Sequence, residues 1–343
     1  MKLWGKILTK IGFIVLTLIL IAFMNGSLFV GNYEISFEEY LMFLNQLLGL
    51  ESNLSLEKYE MLQSVIFEIR LPRIIAAVII GATLSISGAA FQAMFVNPLV
   101  SPGILGVLSG ASFGAALGMV LGWNWFFINI STFIFGMLAV LLALSISFIY
   151  SSAKNMIILV LGGIISSSLF SALLSIVKYT ADPYNALPAI TYWLMGSLSF
   201  STSTMVWNLS IPMLCGVLIL LFFSKYLNAL SLGDEEAKAL GVDTLKVKII
   251  VIVVATFISA LSVILAGIIG WIGLIIPHIA RLLFGADNKI ILPISALLGA
   301  IFLLMVDNAS RIIFSFEIPI GIVTAIIGIP IFIMVLKNAK RGF

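Results

Sequence analysis

Long apolar runs separated by brief polar stretches dominate this chain. Windows nearly free of charge fall at 11–30, 74–95, 103–122, 126–150, 156–177, 205–224, 249–268, 269–284, 290–314 and 318–336. Roughly 20 apolar residues carry a helix across the hydrocarbon core of a bilayer. Lipid offers no outside partner to backbone groups, and the runs are near-continuous rather than alternating, which selects helices over barrel strands. The chain therefore reads as an all-α polytopic membrane protein with about ten transmembrane helices, a single membrane domain over 1–343. Of its 343 residues 62% are hydrophobic and 10% charged, against about 25% charged in soluble domains, so no sizeable soluble domain fits. The net charge of +3 gives no sign of a nucleic-acid partner. The sole cysteine, Cys215, excludes an internal disulfide and a cysteine metal cluster, and no cofactor is expected.

Orientation follows from the basic residues beside the spans. With the N-terminus inside, inner segments hold thirteen of the eighteen: Lys2, Lys6, Lys10, Lys154, Lys225, Lys238, Lys246, Lys248, Arg281, Lys289, Lys337, Lys340 and Arg341. Both termini are expected in the cytoplasm of a prokaryote, and the basic start followed by apolar residues toward Val30 reads as a retained first span rather than a cleaved signal. Segment 31–69, with seven glutamates, is expected as an extracytoplasmic loop, and 178–204 as an outer, partly helical one. Segment 228–248 is expected in the cytoplasm. The windows abutting at Gly267 and Gly270 read as a tight outer turn followed by a short or broken helix, a habit of transporters.

Ionisable residues at membrane depth are the first functional candidates, because each is costly unless it faces protein or water. Asp307, His278, Arg281 and Glu317 qualify. No paired aspartates, Ser–His pair or His-Glu-x-x-His helix accompanies them, which argues against an intramembrane enzyme, and His278 reads as a capping or packing residue. Ser168, Ser171 and Ser175 recur at helical spacing and fit either close helix packing or the lining of a pathway. Gly81, Ser85, Gly88 and Gln92 share one face that reads as packing. No gating arginine series or proton relay appears, so energy must come from elsewhere. Ser231 and Asp234 have capping-box spacing, predicting a short helix from Leu232 to Leu240 ended by Gly241. Such a helix either is gripped by a soluble partner or is a plain solvated loop.

Several runs resemble the FecCD family, the permease subunits of ATP-binding-cassette importers for iron–siderophore, haem and vitamin B12. They are Arg70-Leu-Pro-Arg73, Gly81 through Gln92, Asn97-Pro98 through Gly106, Leu232 through Gly241, Gly273 through Arg281 and Glu317-Ile-Pro-Ile-Gly321. The resemblance implies a ten-span permease of the vitamin B12 importer type in the cytoplasmic membrane. It implies a second permease subunit, two cytoplasmic ATPase subunits and an extracytoplasmic binding protein as partners, with lipid around the spans. Within 232–241, Leu232, Gly233, Asp234, Glu235, Ala237, Leu240 and Gly241 are expected to couple to the ATPase, and the fifth span to line the pathway. Arg70, Arg73 and Arg311 are expected to form a basic docking patch for the binding protein, the plain alternative being headgroup anchors. Ser101 stands where some members carry an acidic residue. The expected cargo is a ferric siderophore, with vitamin B12, haem or molybdate as alternatives within the family and a multi-span membrane enzyme as the rival class.

Overall fold

The computed structural model describes residues 2–31, 33–151, 156–314 and 316–339; Lys154, Lys340 and Arg341, counted above among inner basic residues, lie outside them. Fifteen α-helices follow one another among the described residues. The first four are α1 (Lys2–Ser27), α2 (Phe37–Leu47), α3 (Leu56–Gln63) and α4 (Leu71–Phe95). Then come α5 (Val107–Val120), α6 (Trp125–Ser151), α7 (Met156–Thr180), α8 (Ala186–Leu194) and α9 (Ser203–Phe222). The last six are α10 (Ser224–Leu230), α11 (Asp234–Ala239), α12 (Thr244–Ala266), α13 (Ile272–Phe284), α14 (Asn288–Ile312) and α15 (Ile320–Ala339). Among the described residues seven helical stretches are long and apolar enough to cross a bilayer, and three shorter apolar ones, in α5, α13 and α15, bring the total to ten.

The organising element is α4, which packs against α9, α12, α13 and α14. It is buried along most of its length because small residues let other backbones approach it. A Cβ on Gly81 would collide with the Gly299 carbonyl, and one on Gly88 with that of Gly273. Close approach of this kind is how helices associate where lipid removes the hydrophobic drive. The core divides along α4. Ile74, Ile80, Leu265, Leu304 and Ile320 cluster around its N-terminal half, while Phe91, Met94, Leu230, Val251 and Ile291 cluster around its C-terminal half. Helices α5, α6 and α7 pack on one another beside it, α1 lies along α14, and α15 along α13 and α14.

Segment 31–69 is not an open loop. Ser36 accepts from the Glu39 N–H at 3.1 Å while the Glu39 carboxylate accepts from the Ser36 N–H at 3.0 Å, a complete capping box that starts α2. Glu39 also pairs with Lys58 of α3, and hydrogen bonds, first from Lys58 and then from Ser36, hold its carboxyl below the ordinary value. Ile35, Phe43, Leu62 and Ile66 form a small core of their own. A π-helical stretch, Ser64–Arg70, then carries α3 directly into α4. The glutamates dominate the composition, but the apolar residues between them are what fold.

Candidate transport pathway and coupling surface

Two of the chain's irregular segments meet beside α4. The first follows α4, whose last turn ends on Val96 at φ 50°, and contains a single 3-10 turn, Pro102–Leu105, closed by Gly106 at φ 86°. The second is the break between α12 and α13, from Gly267 at φ 67° to Trp271 at φ 71°. At 1.5 Å per residue the 13 residues of α13 reach only about 20 Å, short of the roughly 30 Å hydrocarbon core. Backbone hydrogen bonds tie the residue before this break to 195–197, and those residues to the start of α15: the Ser197 N–H donates to the Ala266 carbonyl at 2.9 Å, Ile320 to Gly196 at 2.9 Å and Gly321 to Met195 at 3.1 Å.

Irregular backbone persists at membrane depth only where protein or water lines it. A cavity of about 240 Å³ lies between the two segments, lined by Ser101, Gly103, Leu108, Ser259, Gly270 and Trp271. An adjoining hollow of about 440 Å³ is lined by Met195, Ile268, Gly270, Trp271, Gly321 and Ala325. Among the described residues no charged side chain lines either one. Trp271 borders both, its ring 6.2 Å from that of Phe332, in a backbone conformation that costs a bulky residue roughly 1–3 kcal/mol. Sequence reading passed over Trp271; the signal was its place directly after the Gly267 and Gly270 break.

Ser168, Ser171 and Ser175 lie on the exposed face of α7, together with Leu161, Ile164, Leu169 and Ile176. Ser171 donates to Ser109 at 3.4 Å and Ser175 to the Ser171 carbonyl at 2.9 Å. The opposite face does the packing: Gly162 and Gly163 abut the carbonyls of Ala143 and Ile104, and Ser166 donates to the Ala139 carbonyl at 2.7 Å. The three serines therefore face away from their own subunit's core.

At the expected inner end, helices α10 and α11 connect α9 to α12. The capping box at Ser231 does not form. Its hydroxyl donates to the Leu227 carbonyl at 2.8 Å and accepts from Asn288 at 3.2 Å, so Gly233, at φ 117°, takes the N-cap position and α11 begins only at Asp234. Gly241, at φ 80°, ends the turn with its N–H on the Lys238 carbonyl. Leu232 and Leu240 stand 64% and 65% exposed on either side of α11, whereas Ala237 is fully buried. Asp234 pairs with Lys248 at the start of α12. Asn228 donates to Asp287 at 2.6 Å and accepts from the Asn288 N–H at 2.7 Å. The segment is thus fastened to α12 and α14, with Leu232, Glu235 and Leu240 left outward.

At the other end, the arginines expected to form a docking patch turn inward. Arg70, Arg73 and Arg311 are only 4%, 9% and 8% exposed, because each guanidinium is engaged within the protein. Arg73 donates to Asp307 at 2.9 Å and to Glu317 at 2.9 and 3.1 Å. Arg311 pairs with Asp307 at 3.0 Å and donates to the Val30 carbonyl at 2.8 Å. Arg70 donates to the carbonyls of Leu28 and Tyr33, and Ser199 to Glu317 at 2.6 Å. Asp307, fully buried, sits between two cations, and the network joins the end of α1, α4, α14 and residue 317. Burial favours the neutral Glu317 carboxyl, but hydrogen bonds from Arg73 and Ser199 and the nearby charges outweigh it and hold the group below its ordinary value. Elsewhere His278 is largely buried, and Arg281 donates to Gln92, whose amide donates to the Leu274 carbonyl at 3.1 Å. Gln92 is therefore a polar link between α4 and α13 as well as part of a packing face. Among the described residues no group of three His, Cys, Asp or Glu could hold a metal ion.

Comparison with known proteins gives the same picture. The model of the FecCD transport family matches residues 16–338. The molybdate import system permease protein MolB of Haemophilus influenzae is 41% identical over 95% of each chain. A probable iron chelatin transport system permease protein of Helicobacter pylori is 38% identical over 83% of this chain and 86% of its own. An inward-facing metal-chelate type ABC transporter superposes with a TM-score of 0.85 at 39% identity, covering 95% of this chain and 98% of that one. With ten apolar helices, a broken pair around uncharged cavities and a match over nearly its whole length, this chain belongs to the FecCD transport family of ABC importer permeases.

Proposed function

We propose that this chain is the membrane half of an ATP-driven importer for a metal-bearing cargo, working as one permease unit over 1–343 with both termini in the cytoplasm. The observation that carries this reading is the short helix α11, which presents Leu232, Glu235 and Leu240 outward while Asn228, Ser231 and Asp234 fasten it to α12 and α14. A separate ATPase gripping this surface would move those helices as a body. The breaks at 97–106 and 267–271 then open the cavities beside Trp271 to one side or the other, a hinge or shear transition between two packed arrangements. Two copies, or this chain and a second permease, place the exposed serine face of α7 along a shared path. Cargo meets small and apolar groups there, so it binds weakly enough to leave, and recognition rests with an extracytoplasmic binding protein. That protein docks on the end built from α2, α3 and 178–204, which Arg70, Arg73 and Arg311 shape from beneath.

Within that function a ferric siderophore is one cargo, in keeping with the iron chelatin relative. A molybdate-type oxyanion is a second reading, favoured by 41% identity to a molybdate permease across 95% of both chains. Uptake by the reconstituted permease, ATPase and binding protein, measured with radioiron chelate and with radioactive molybdate, separates the two. ATP-dependent accumulation of one and not the other assigns the cargo, and accumulation of neither overturns both readings.

A further inference from the structure

A groove of about 320 Å³ opens between α1 and α14 at the end of the bundle that carries α10 and α11. Lys10 and Lys289 flank it, and Phe13, Ile14, Ile290, Pro293 and Ile294 form its apolar wall. Neither ammonium has an ion-pair or hydrogen-bond partner through its side chain among the described residues. The one carboxylate close in sequence, Asp287, is occupied by the Asn228 amide and by the Lys289 N–H at 3.0 Å. Lys10 opens the apolar stretch of α1, Lys10–Ser27, and Lys289 is the second residue of α14. Both cations therefore stand where a bilayer's headgroups begin, with the apolar wall one turn deeper.

We infer that this groove holds one anionic phospholipid, its phosphate between Lys10 and Lys289 and an acyl chain along Phe13, Ile14 and Ile290. Charge and apolarity are stacked in the order that such a lipid presents them. A soluble partner would match the ammoniums but leave the apolar wall uncovered. Basic pockets between spans on the cytoplasmic side are a known means of holding anionic headgroups. Because Asn288 beside Lys289 bonds to Asn228 and Ser231, the lipid would brace the root of the coupling segment.

The test uses the full chain purified from vesicles of phosphatidylglycerol and phosphatidylcholine, with retained lipid counted by native mass spectrometry. Wild type is expected to keep one phosphatidylglycerol in preference to phosphatidylcholine. Lys10→Gln and Lys289→Gln should each lower its retention about fivefold, and the pair about twenty-fivefold, from the contribution of a basic side chain near an anionic leaflet. Lys225→Gln, an exposed lysine near the same end, should leave retention unchanged. These substitutions lie on exposed positions, and thermal unfolding of each variant confirms that it is folded. Unchanged retention in the double variant, or an equal loss in Lys225→Gln, overturns the site. So does cross-linking between two copies through a cysteine at position 14, which would give the groove to a second subunit.

Discussion

Asp307 illustrates how charge is tolerated inside this molecule: fully buried, it lies between Arg73 and Arg311, and Glu317 completes a neutral set of four. Arg73→Ala leaves Glu317 without its cation and the buried Asp307 with Arg311 alone. Loss of one member of a buried pair costs roughly 3–5 kcal/mol, so this variant should show a clearly lowered unfolding temperature in detergent and poor yield; an unchanged midpoint would contradict the network. Glu317 adds a pH dependence. Its folded-state value lies below the ordinary 4.5, so its contribution is complete above that value and fades as pH falls through the lower one. Acid unfolding of Glu317→Gln should be less steep over that range than that of wild type. The sequence exposed Asp307 and Glu317 as charges in or beside apolar windows, and it put the three arginines at one level. It did not carry their direction. Arg73 and Asp307 are 234 residues apart, and hydropathy records height along a span but not which side of the helix faces protein, so inward pairing read as an outward patch.

Among the elements, the spans were the most legible part, since apolar length alone locates them. The boundaries of α11 were less so, because Ser231 had two competing uses and the backbone carbonyl of Leu227 with Asn288 won. The same contact environment separates two substitutions that look alike in sequence. Leu240→Glu alters an exposed side chain and should abolish ATPase association or stimulation while the permease keeps its unfolding temperature. Ala237→Glu forces a carboxylate into a fully buried position, and should lower the unfolding temperature as well. Equal stability of the two variants in a melting assay, or normal ATPase assembly of Leu240→Glu, would count against this description of the coupling surface. Helices α2 and α3 were hidden for a compositional reason: their glutamates signal solvent, whereas Ser36 with Glu39 and Ser55 before Lys58 are local helix starts that an acid count ignores.

At the scale of the whole molecule, α4, α12 and α14 join two ends: the α10–α11 segment fastened at one and a closed ionic network at the other, with the uncharged cavities beside Trp271 between them. None of that connection was readable from the sequence, because one cavity arises where residues 101–108 meet 269–274 and the other where 194–195 and 321–326 meet 268–271, and no local pattern encodes those meetings. In the proposed transport cycle this region opens alternately to the two sides. That alternation is tested by a single cysteine at position 101, which lines the cavity beside Trp271, in a Cys215→Ser background, within the reconstituted complex. Its reaction with a water-soluble maleimide, applied from each side in turn, is followed without nucleotide and with a non-hydrolysable ATP analogue. Reactivity is expected to move from one side to the other on nucleotide binding, and Leu240→Glu to stop the change. Reactivity from the same side in both states, or from neither, would contradict it.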